Sequence, residues 1–216
     1  VVPRSPVCCG LTYVTTGQID AARATLRRTL DAPELSGDDP ILVLEPSCAA
    51  SLRRDLTELL PGDSRGASVA RRVRTLAELL DEAGWSPPAG APIDALVQPH
   101  CHQQAVLGTA ADARVMRAAG ITPVQTLLGC CGLAGSFGAE AGHEKVSRDV
   151  AALELLPALA AATAETAILA DGFSCRTQVA FLDGRRARHL AEVLADRLDP
   201  AQVVTTVAPA APSDPR

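Results

Sequence analysis

Residues 124–138, VQTLLGCCGLAGSFG, join an apolar run to two adjacent cysteines and then to a turn of small residues. The apolar run has the composition of a buried strand in a parallel sheet. Because ligands of open α/β sheets bind at the carboxyl ends of the strands, thiols that follow such strands should converge at one edge. Three further apolar runs also end in a cysteine: ILVLEPSC (41–48), ALVQPHC (95–101) and AILADGFSC (167–175).

Amphipathic stretches alternate with these apolar runs, and this alternation predicts an α/β fold. Strands are predicted at 41–45, 95–98, 124–128 and 167–171, and helices at about 17–31, 49–60, 67–83, 103–119, 140–162 and 184–198.

The cysteine motif occurs twice along the chain. VCCGLTYVTTG (7–17) aligns with GCCGLAGSFGAEAG (129–142), and VLEPSCAASL (43–52) aligns with LADGFSCRTQV (169–179). The similar offsets of the two alignments indicate a duplicated module. We therefore predict two duplicated Rossmann-like modules, each with a short parallel sheet flanked by helices and with cysteines at the strand carboxyl ends. They would span 1–83 and 95–200, with the Pro- and Gly-rich segment 84–94 as a joint and 201–216 as a disordered tail.

The composition narrows the class of protein. The chain has 216 residues, of which 47% are hydrophobic and 21% charged, and its formal net charge is -5. Basic residues are scattered among acidic ones, which argues against binding to nucleic acid. No apolar run of about 18 residues occurs, so no membrane span is predicted, and no secretory signal is visible. We expect a cytoplasmic protein that is peripheral to a membrane only through a partner.

In a reducing compartment, the seven cysteines favour metal or redox chemistry over structural disulfides. The second module contains a complete set of four thiols, which suits an iron–sulfur cluster or a four-cysteine zinc site. Adjacent thiolates can scarcely chelate one small ion, whereas two irons of a [4Fe-4S] cluster can each take one of them. The cluster is therefore favoured over zinc. Its predicted ligands are Cys101, Cys130, Cys131 and Cys175.

The first module offers only three thiols, those of Cys8, Cys9 and Cys48. If the first module has the same spacing as the second, its leading cysteine would stand before Val1. We therefore expect the chain to begin inside this module and its cluster to be incomplete. Ser51 could replace the missing ligand, but a plain surface hydroxyl is the expected role of that residue.

Several neighbours of the cysteines are candidates for supporting roles. Gly10 and Gly132 would let the backbone turn sharply and bring its amides to the sulfurs. His100 and His102 flank the cysteine between them, so each is either a donor to sulfur or a water-exposed turn residue.

Two other histidines lie further from the cysteines in sequence. His143 opens a predicted helix, where it would either approach the cluster or a flavin partner, or only cap the helix. His189 lies between Arg188 and Leu190 and is expected to be a solvated surface residue.

The segment CCGLAGSFG, with PHCHQQAVLG before it and ADGFSCRTQ after it, resembles the cysteine-rich CCG domain of iron–sulfur oxidoreductases. That group includes subunits of glycolate oxidase, anaerobic glycerol-3-phosphate dehydrogenase and heterodisulfide reductase. The likeness covers roughly 1–200 and is greatest for the C-terminal part of FAD-linked D-2-hydroxy-acid dehydrogenases of the D-lactate or D-2-hydroxyglutarate type. It implies electron transfer from FAD, on another domain or on a flavoprotein subunit, to a downstream acceptor.

The sequence departs from the heterodisulfide reductase pattern, in which each module ends in C-x-x-C. The corresponding stretches here are CAAS (48–51) and CRTQ (175–178). The resemblance therefore implies an ordinary [4Fe-4S] centre in the second module and an incomplete one in the first. No catalytic residue is predicted, because no hydrolase triad, zinc-protease or phosphate-loop motif occurs. A zinc-stabilised interaction module and a stand-alone iron–sulfur subunit that pairs with a separate flavoprotein are the alternatives.

Overall fold

The computed structural model describes residues 1–88 and 90–198, and the predicted disordered tail lies outside this range. Within it, helices alternate with short strands, and both sheets are parallel, as an α/β fold requires. None of the helices in this part of the chain is long and apolar enough to cross a bilayer.

The first half of the chain is built on a two-stranded parallel sheet, in which Ile41 is paired with Val73. The fully buried Leu26, Leu56 and Val73 centre its core, and Cys9 lies in the same cluster. The elements are α1 (Leu11–Thr15), α2 (Ile19–Leu30), β1 (Ile41–Leu42), α3 (Pro46–Arg53), α4 (Asp55–Leu59), α5 (Ser64–Arg72), β2 (Val73–Arg74) and α6 (Leu76–Glu82).

The second half is built on a three-stranded parallel sheet of β3 (Ile93–Val97), β4 (Ile121–Thr126) and β5 (Ala167–Leu169), in which β3 lies between β4 and β5. A short π-helical turn, Gln103–Leu107, comes after β3 in the chain. The other elements are α7 (Ala110–Ala118), α8 (Glu144–Ala151), α9 (Leu155–Ala161), α10 (Phe173–Asp183) and α11 (Leu190–Ala195).

Strands β3 and β5 of this sheet bury side chains on both faces. Leu96 and Ile168 belong to one core cluster, with residues of α9 and α10. Val97 and Leu169, the next residue of each strand, belong to a second cluster with residues of α7 and α11. This alternation follows from the two-residue period of a strand. Cys131 and Cys175 lie in the first cluster, so these thiols belong to one face of the sheet.

Several predicted helices are wrong in their bounds. The predicted helix 67–83 is interrupted by β2, because buried Val73 pairs with β1 and Thr75 starts a new helix. The Thr75 hydroxyl accepts the backbone N–H of Glu78, whose carboxylate accepts the backbone N–H of Thr75. Likewise, 49–60 and 140–162 each contain two helices, 103–119 contains the π-helical turn and then α7, and 184–198 contains only α11.

Contacts join the two halves. Leu107 of the second half packs against the core of the first. The two sheets differ in strand number, so the division into two duplicated Rossmann-like modules, with boundaries at 83 and 95, stays a prediction.

Candidate metal centre

The structure brings four cysteines of the second half together at the carboxyl ends of the strands. Cys101 follows β3, Cys130 and Cys131 follow β4, and Cys175 is the third residue of α10, which follows β5. The Cys130 side chain hydrogen-bonds to those of Cys101 and Cys131. Cys131 in turn hydrogen-bonds to Cys175. We call these four residues the second thiol set; their role as metal ligands stays a prediction.

These contacts favour a negative charge on one sulfur. Hydrogen bonds from Cys101 and Cys131 lower the pKa of Cys130. The same bonds, together with burial, raise the pKa of Cys101 and of Cys131. Two thiol donors thus stabilise the Cys130 thiolate. This property suits a metal ligand, because a cysteine must lose its proton before it binds a metal.

The glycine after the second cysteine pair is required by its surroundings. Gly132 has a φ of 93°, and its backbone N–H points to Cys130 Sγ at an N···S distance of 3.4 Å. A Cβ at this position would lie 2.1 Å from the carbonyl oxygen of Ser147. Only glycine therefore allows both the turn and the close passage of α8.

Two further residues, Glu154 and Gln98, hold the loop before Cys130 and Cys131 through hydrogen bonds to its backbone. The Glu154 carboxylate accepts the backbone N–H of Leu128 at 3.1 Å. The Gln98 Nε2 group donates to the carbonyls of Pro99 and Gly129, each at 3.0 Å. Glu154 lies outside the quoted motifs, and Gln98 lies in ALVQPHC (95–101), where no pattern marks its side chain as a partner of the later loop.

Three cysteines of the first half form the first thiol set. Cys9 Sγ and Cys48 Sγ are 3.0 Å apart, and this hydrogen bond lowers the pKa of Cys9 to about 7 and, with burial, raises that of Cys48. Cys8 is exposed. Its backbone N–H donates to Thr29 Oγ1 at 3.1 Å, and its carbonyl accepts from the same hydroxyl at 2.8 Å.

The two thiol sets share their local backbone geometry. Gly10 has a φ of 75°, like Gly132 in the left-handed region, and its N–H also points to the first cysteine of its pair, Cys8, at 3.4 Å. Cys48 is the third residue of α3, as Cys175 is of α10. The repeated sequence motifs thus form repeated local structures.

His100 is buried beside the second thiol set. Its Nδ1 accepts the backbone N–H of His102 at 3.1 Å, and its Nε2 is 3.4 Å from Ser174 Oγ. Burial lowers the pKa of His100, so the ring is neutral at physiological pH. A Cβ at Gly172 would lie 2.3 Å from the His100 ring and 3.3 Å from Cys175 Sγ. The interpretation of His100 as a water-exposed turn residue is therefore wrong.

The other candidate residues near this site are less enclosed. The half-buried His102 ring lies edge-on to that of His100, with centroids 5.3 Å apart. The half-buried His143 ring stacks on Phe137 with a centroid distance of 4.1 Å, and its Nδ1 is 3.1 Å from the Phe137 carbonyl oxygen. The hydrogen bond of the His143 side chain thus lies within its own loop.

Two predictions of surface exposure are wrong. Ser51 is 1% exposed, and its hydroxyl donates to the Cys9 carbonyl at 3.3 Å. His189 is buried and caps α11 by accepting the Ala191 N–H at Nδ1, 2.9 Å away. Its Nε2 donates to the Leu44 carbonyl at 2.9 Å. Glu192, three residues later, completes a capping box, and this spacing was the available sequence signal.

The donor chemistry of both sets fits an iron–sulfur cluster, because cysteine thiolates are its usual ligands and hydrogen bonds from the backbone tune the sulfurs. The four sulfurs of the second thiol set are linked by hydrogen bonds, and in the first set Cys9 and Cys48 are linked in the same way. Among residues 1–88 and 90–198, no three His, Cys, Asp or Glu side chains are arranged around a position for one metal ion. The fit therefore rests on the donor set and on the amides of Gly10 and Gly132.

Comparison with known proteins gives the class. Residues 1–53 match the family described as Cysteine-rich domain (CCG), which confirms the resemblance found in the sequence. Residues 1–53 of this chain are therefore similar to the CCG cysteine-rich domain.

The relatives are dehydrogenases. A subunit of anaerobic glycerol-3-phosphate dehydrogenase from Escherichia coli is 24% identical over 198 residues, which are 88% of this chain and 49% of that protein. D-2-hydroxyglutarate dehydrogenase of Pseudomonas putida is 27% identical over 176 residues, 80% of this chain and 17% of that protein. The chain thus spans about half the length of the first relative and a smaller part of the second. No solved structure matches the chain.

Proposed function

We propose that this chain is an iron–sulfur electron-transfer module of a flavin-dependent dehydrogenase. The observation that carries the proposal is the second thiol set, in which four cysteines from three strand ends make one continuous chain of sulfur contacts. The similarity to two dehydrogenases supports it.

The second thiol set would hold a [4Fe-4S] cluster, which takes up and releases single electrons when bound. Cys130 is the thiol most ready to ionise, because two thiols and the Gly132 amide donate to it. Glu154 and Gln98 hold the loop that carries this cysteine pair. The neutral His100 ring fills the space between the loops after β3 and β5 and limits access of water.

The first thiol set would hold a second cluster less firmly, because three thiols leave one iron without a cysteine ligand. Ser51 does not supply that ligand in this structure, since its hydroxyl is bonded to the Cys9 carbonyl. We therefore assign the main electron-transfer role to the second thiol set.

The proposed partner is an FAD-binding domain or a flavoprotein subunit, which would perform the hydride chemistry. The similarity to D-2-hydroxyglutarate dehydrogenase favours a D-2-hydroxy acid as the substrate of the whole enzyme. The similarity to the glycerol-3-phosphate dehydrogenase subunit makes glycerol 3-phosphate the second candidate.

Metal analysis after anaerobic purification tests the proposal. We expect a coloured protein. Its content of iron and of acid-labile sulfide should each be nearer four than eight atoms per chain, which corresponds to about one complete cluster. Cys131→Ser should remove most of the iron, whereas Cys9→Ser, the matched change in the first thiol set, should change the total little. A colourless protein with one tightly held zinc per chain would instead identify a structural zinc module and refute the proposal.

A further inference from the structure

Two sulfurs of the first thiol set lie close to the distance of a covalent bond. Cys9 Sγ and Cys48 Sγ are 3.0 Å apart, whereas the two sulfurs of a disulfide are about 2.05 Å apart. The residues come from different elements, because Cys9 lies in the loop before α1 and Cys48 is the third residue of α3. A bond between them would therefore tie this loop to α3 across 39 residues of sequence.

Hydrogen bonds hold the two cysteines in facing positions. The Ser51 hydroxyl, one helical turn after Cys48, donates to the carbonyl of Cys9 at 3.3 Å. Thr29 Oγ1 holds the same loop, because it accepts the N–H of Cys8 and donates to the carbonyl of that residue. Cys48 also packs against the core cluster that contains Cys9. The approach of the two sulfurs is thus fixed by the fold and requires no rearrangement of the backbone.

The third thiol of this set is a poor partner for its neighbour. The Cα atoms of two adjacent residues are about 3.8 Å apart across a trans peptide bond. A disulfide usually needs a Cα separation of about 4.4–6.8 Å. Cys8 is also exposed, and its sulfur accepts the N–H of Gly10 at 3.4 Å. Within the first thiol set, the geometry therefore selects Cys9 and Cys48 as the pair.

The number and the exposure of the thiols favour the same chemistry. Three thiols leave one iron of a cluster without a cysteine ligand, whereas a disulfide needs only two thiols. Cys48 is half-buried and Cys9 is 8% exposed. An oxidant dissolved in water therefore meets Cys48 first, and Cys9 lies directly behind it.

We propose that Cys9 and Cys48 form a reversible disulfide, for which a small soluble disulfide of the glutathione type is the oxidant. The Cys48 sulfur, after loss of its proton, attacks one sulfur of the oxidant and displaces the other half as a thiol. The Cys9 sulfur then loses its proton and attacks Cys48 Sγ, which forms the Cys9–Cys48 bond and releases the second thiol. Two protein thiols are oxidised, one small disulfide is reduced to two thiols, and the two protons leave on these thiols.

This inference goes beyond the proposed function. The bond withdraws two of the three thiols of the first set from metal binding, and it involves no residue of the second thiol set. The chain would thus carry a cluster in one set and a two-electron dithiol in the other.

Peptide mass spectrometry of the full chain tests the inference. The anaerobically purified chain is incubated with oxidised glutathione, its free thiols are blocked with iodoacetamide, and it is then digested with trypsin. We expect the peptide 5–23, which contains Cys8 and Cys9, to be joined by one disulfide to the peptide 29–53, which contains Cys48. Treatment with dithiothreitol should separate the two peptides again.

Three variants assign the bond to its two sulfurs. Cys9→Ser and Cys48→Ser each remove one sulfur of the pair and should abolish the linked peptide. Cys8→Ser is the matched control, since it removes the adjacent thiol and should leave the yield of the linked peptide unchanged. Circular dichroism verifies that each variant is folded. A linked peptide that persists in Cys9→Ser would assign the bond to Cys8 and refute the inference.

Iron analysis of the same samples separates this inference from the proposed function. A chain that holds about one cluster but whose Cys9 and Cys48 are both alkylated after incubation with oxidised glutathione refutes this inference alone. A chain that yields the linked peptide but binds no iron refutes the proposed cluster alone.

Discussion

The Glu45 carboxylate accepts the backbone N–H of Phe173 at 2.7 Å across 128 residues of sequence. Its other oxygen accepts the N–H and the hydroxyl of Ser47, at 3.3 and 2.7 Å. Ser47 precedes Cys48 in α3, and Phe173 is the first residue of α10, which carries Cys175. One carboxylate thus caps both cysteine-bearing helices, and its negative charge suits the positive end of each helix dipole.

Glu45→Gln tests this shared cap. The amide retains one acceptor oxygen but loses the charge and the second acceptor, so we expect the free energy of unfolding to fall by about 1–3 kcal/mol in urea denaturation. Glu58→Gln, at an exposed pair with Arg54, is the control and should cost less than about 0.5 kcal/mol. Equal effects of the two substitutions would contradict a special role of Glu45.

Gly132→Ala should disrupt the second site. A Cβ there would lie 2.1 Å from the Ser147 carbonyl oxygen, and the φ of 93° adds strain, so we expect a loss of about 3 kcal/mol or more and little iron uptake. Gly135→Ala is the matched control, because Gly135 has a φ of 72° and no atom lies within 4 Å of the place that an added methyl group would take. It should cost only about 1 kcal/mol. Normal iron uptake by Gly132→Ala would show that the close passage of α8 is not required.

The buried Asp112 should make the free energy of unfolding depend on pH. Burial raises its pKa to about 6, above the value of about 3.9 in an unfolded chain. Between these values the folded state binds more protons, so the free energy of unfolding falls as the pH rises and is level above about pH 6. Asp112→Asn keeps an oxygen to accept from Gln103 Nε2, 2.9 Å away, and removes this penalty.

Thermal unfolding at several pH values measures the effect. Asp112→Asn should be more stable than the original chain at pH 8, by up to about 3 kcal/mol, and similar to it near pH 4. The exposed Asp94→Asn should leave the pH profile unchanged. A lower stability of Asp112→Asn at pH 8 would mean that the ionised carboxylate is favourably paired.

The sequence located three of the strands to within a few residues, because a buried strand depends on a local pattern, whereas the role of the cysteines as ligands stays a prediction. The apolar runs before Cys101, Cys130 and Cys175 do contain or adjoin the strands, and the thiols do meet. β2 was missed because its two residues, Val73 and Arg74, are too few to break a helical period and are extended only through pairing with β1. Tertiary pairing of this kind overrides local preference.

The supporting residues of the site were less predictable. Glu45 and His189 act across the interface of the two halves, where a single carboxylate or ring bonds to a backbone group far away in sequence. Such partners leave no periodic pattern. His189 carried a capping signal with Glu192, but its bond to the Leu44 carbonyl depends on how the halves pack.

The exposure of Cys8 also determines how the protein should behave in air. Cys8 is exposed, whereas its counterpart Cys130 is half-buried. Because oxidation of cysteine requires contact with the oxidant, dissolved oxygen and peroxide reach the exposed Cys8 more readily than the half-buried Cys130, although the lowered pKa of Cys130 favours its thiolate form. Aerobic handling would therefore damage the two sets in sequence, the first before the second, and the time between the two losses would measure how well the fold shields the buried site.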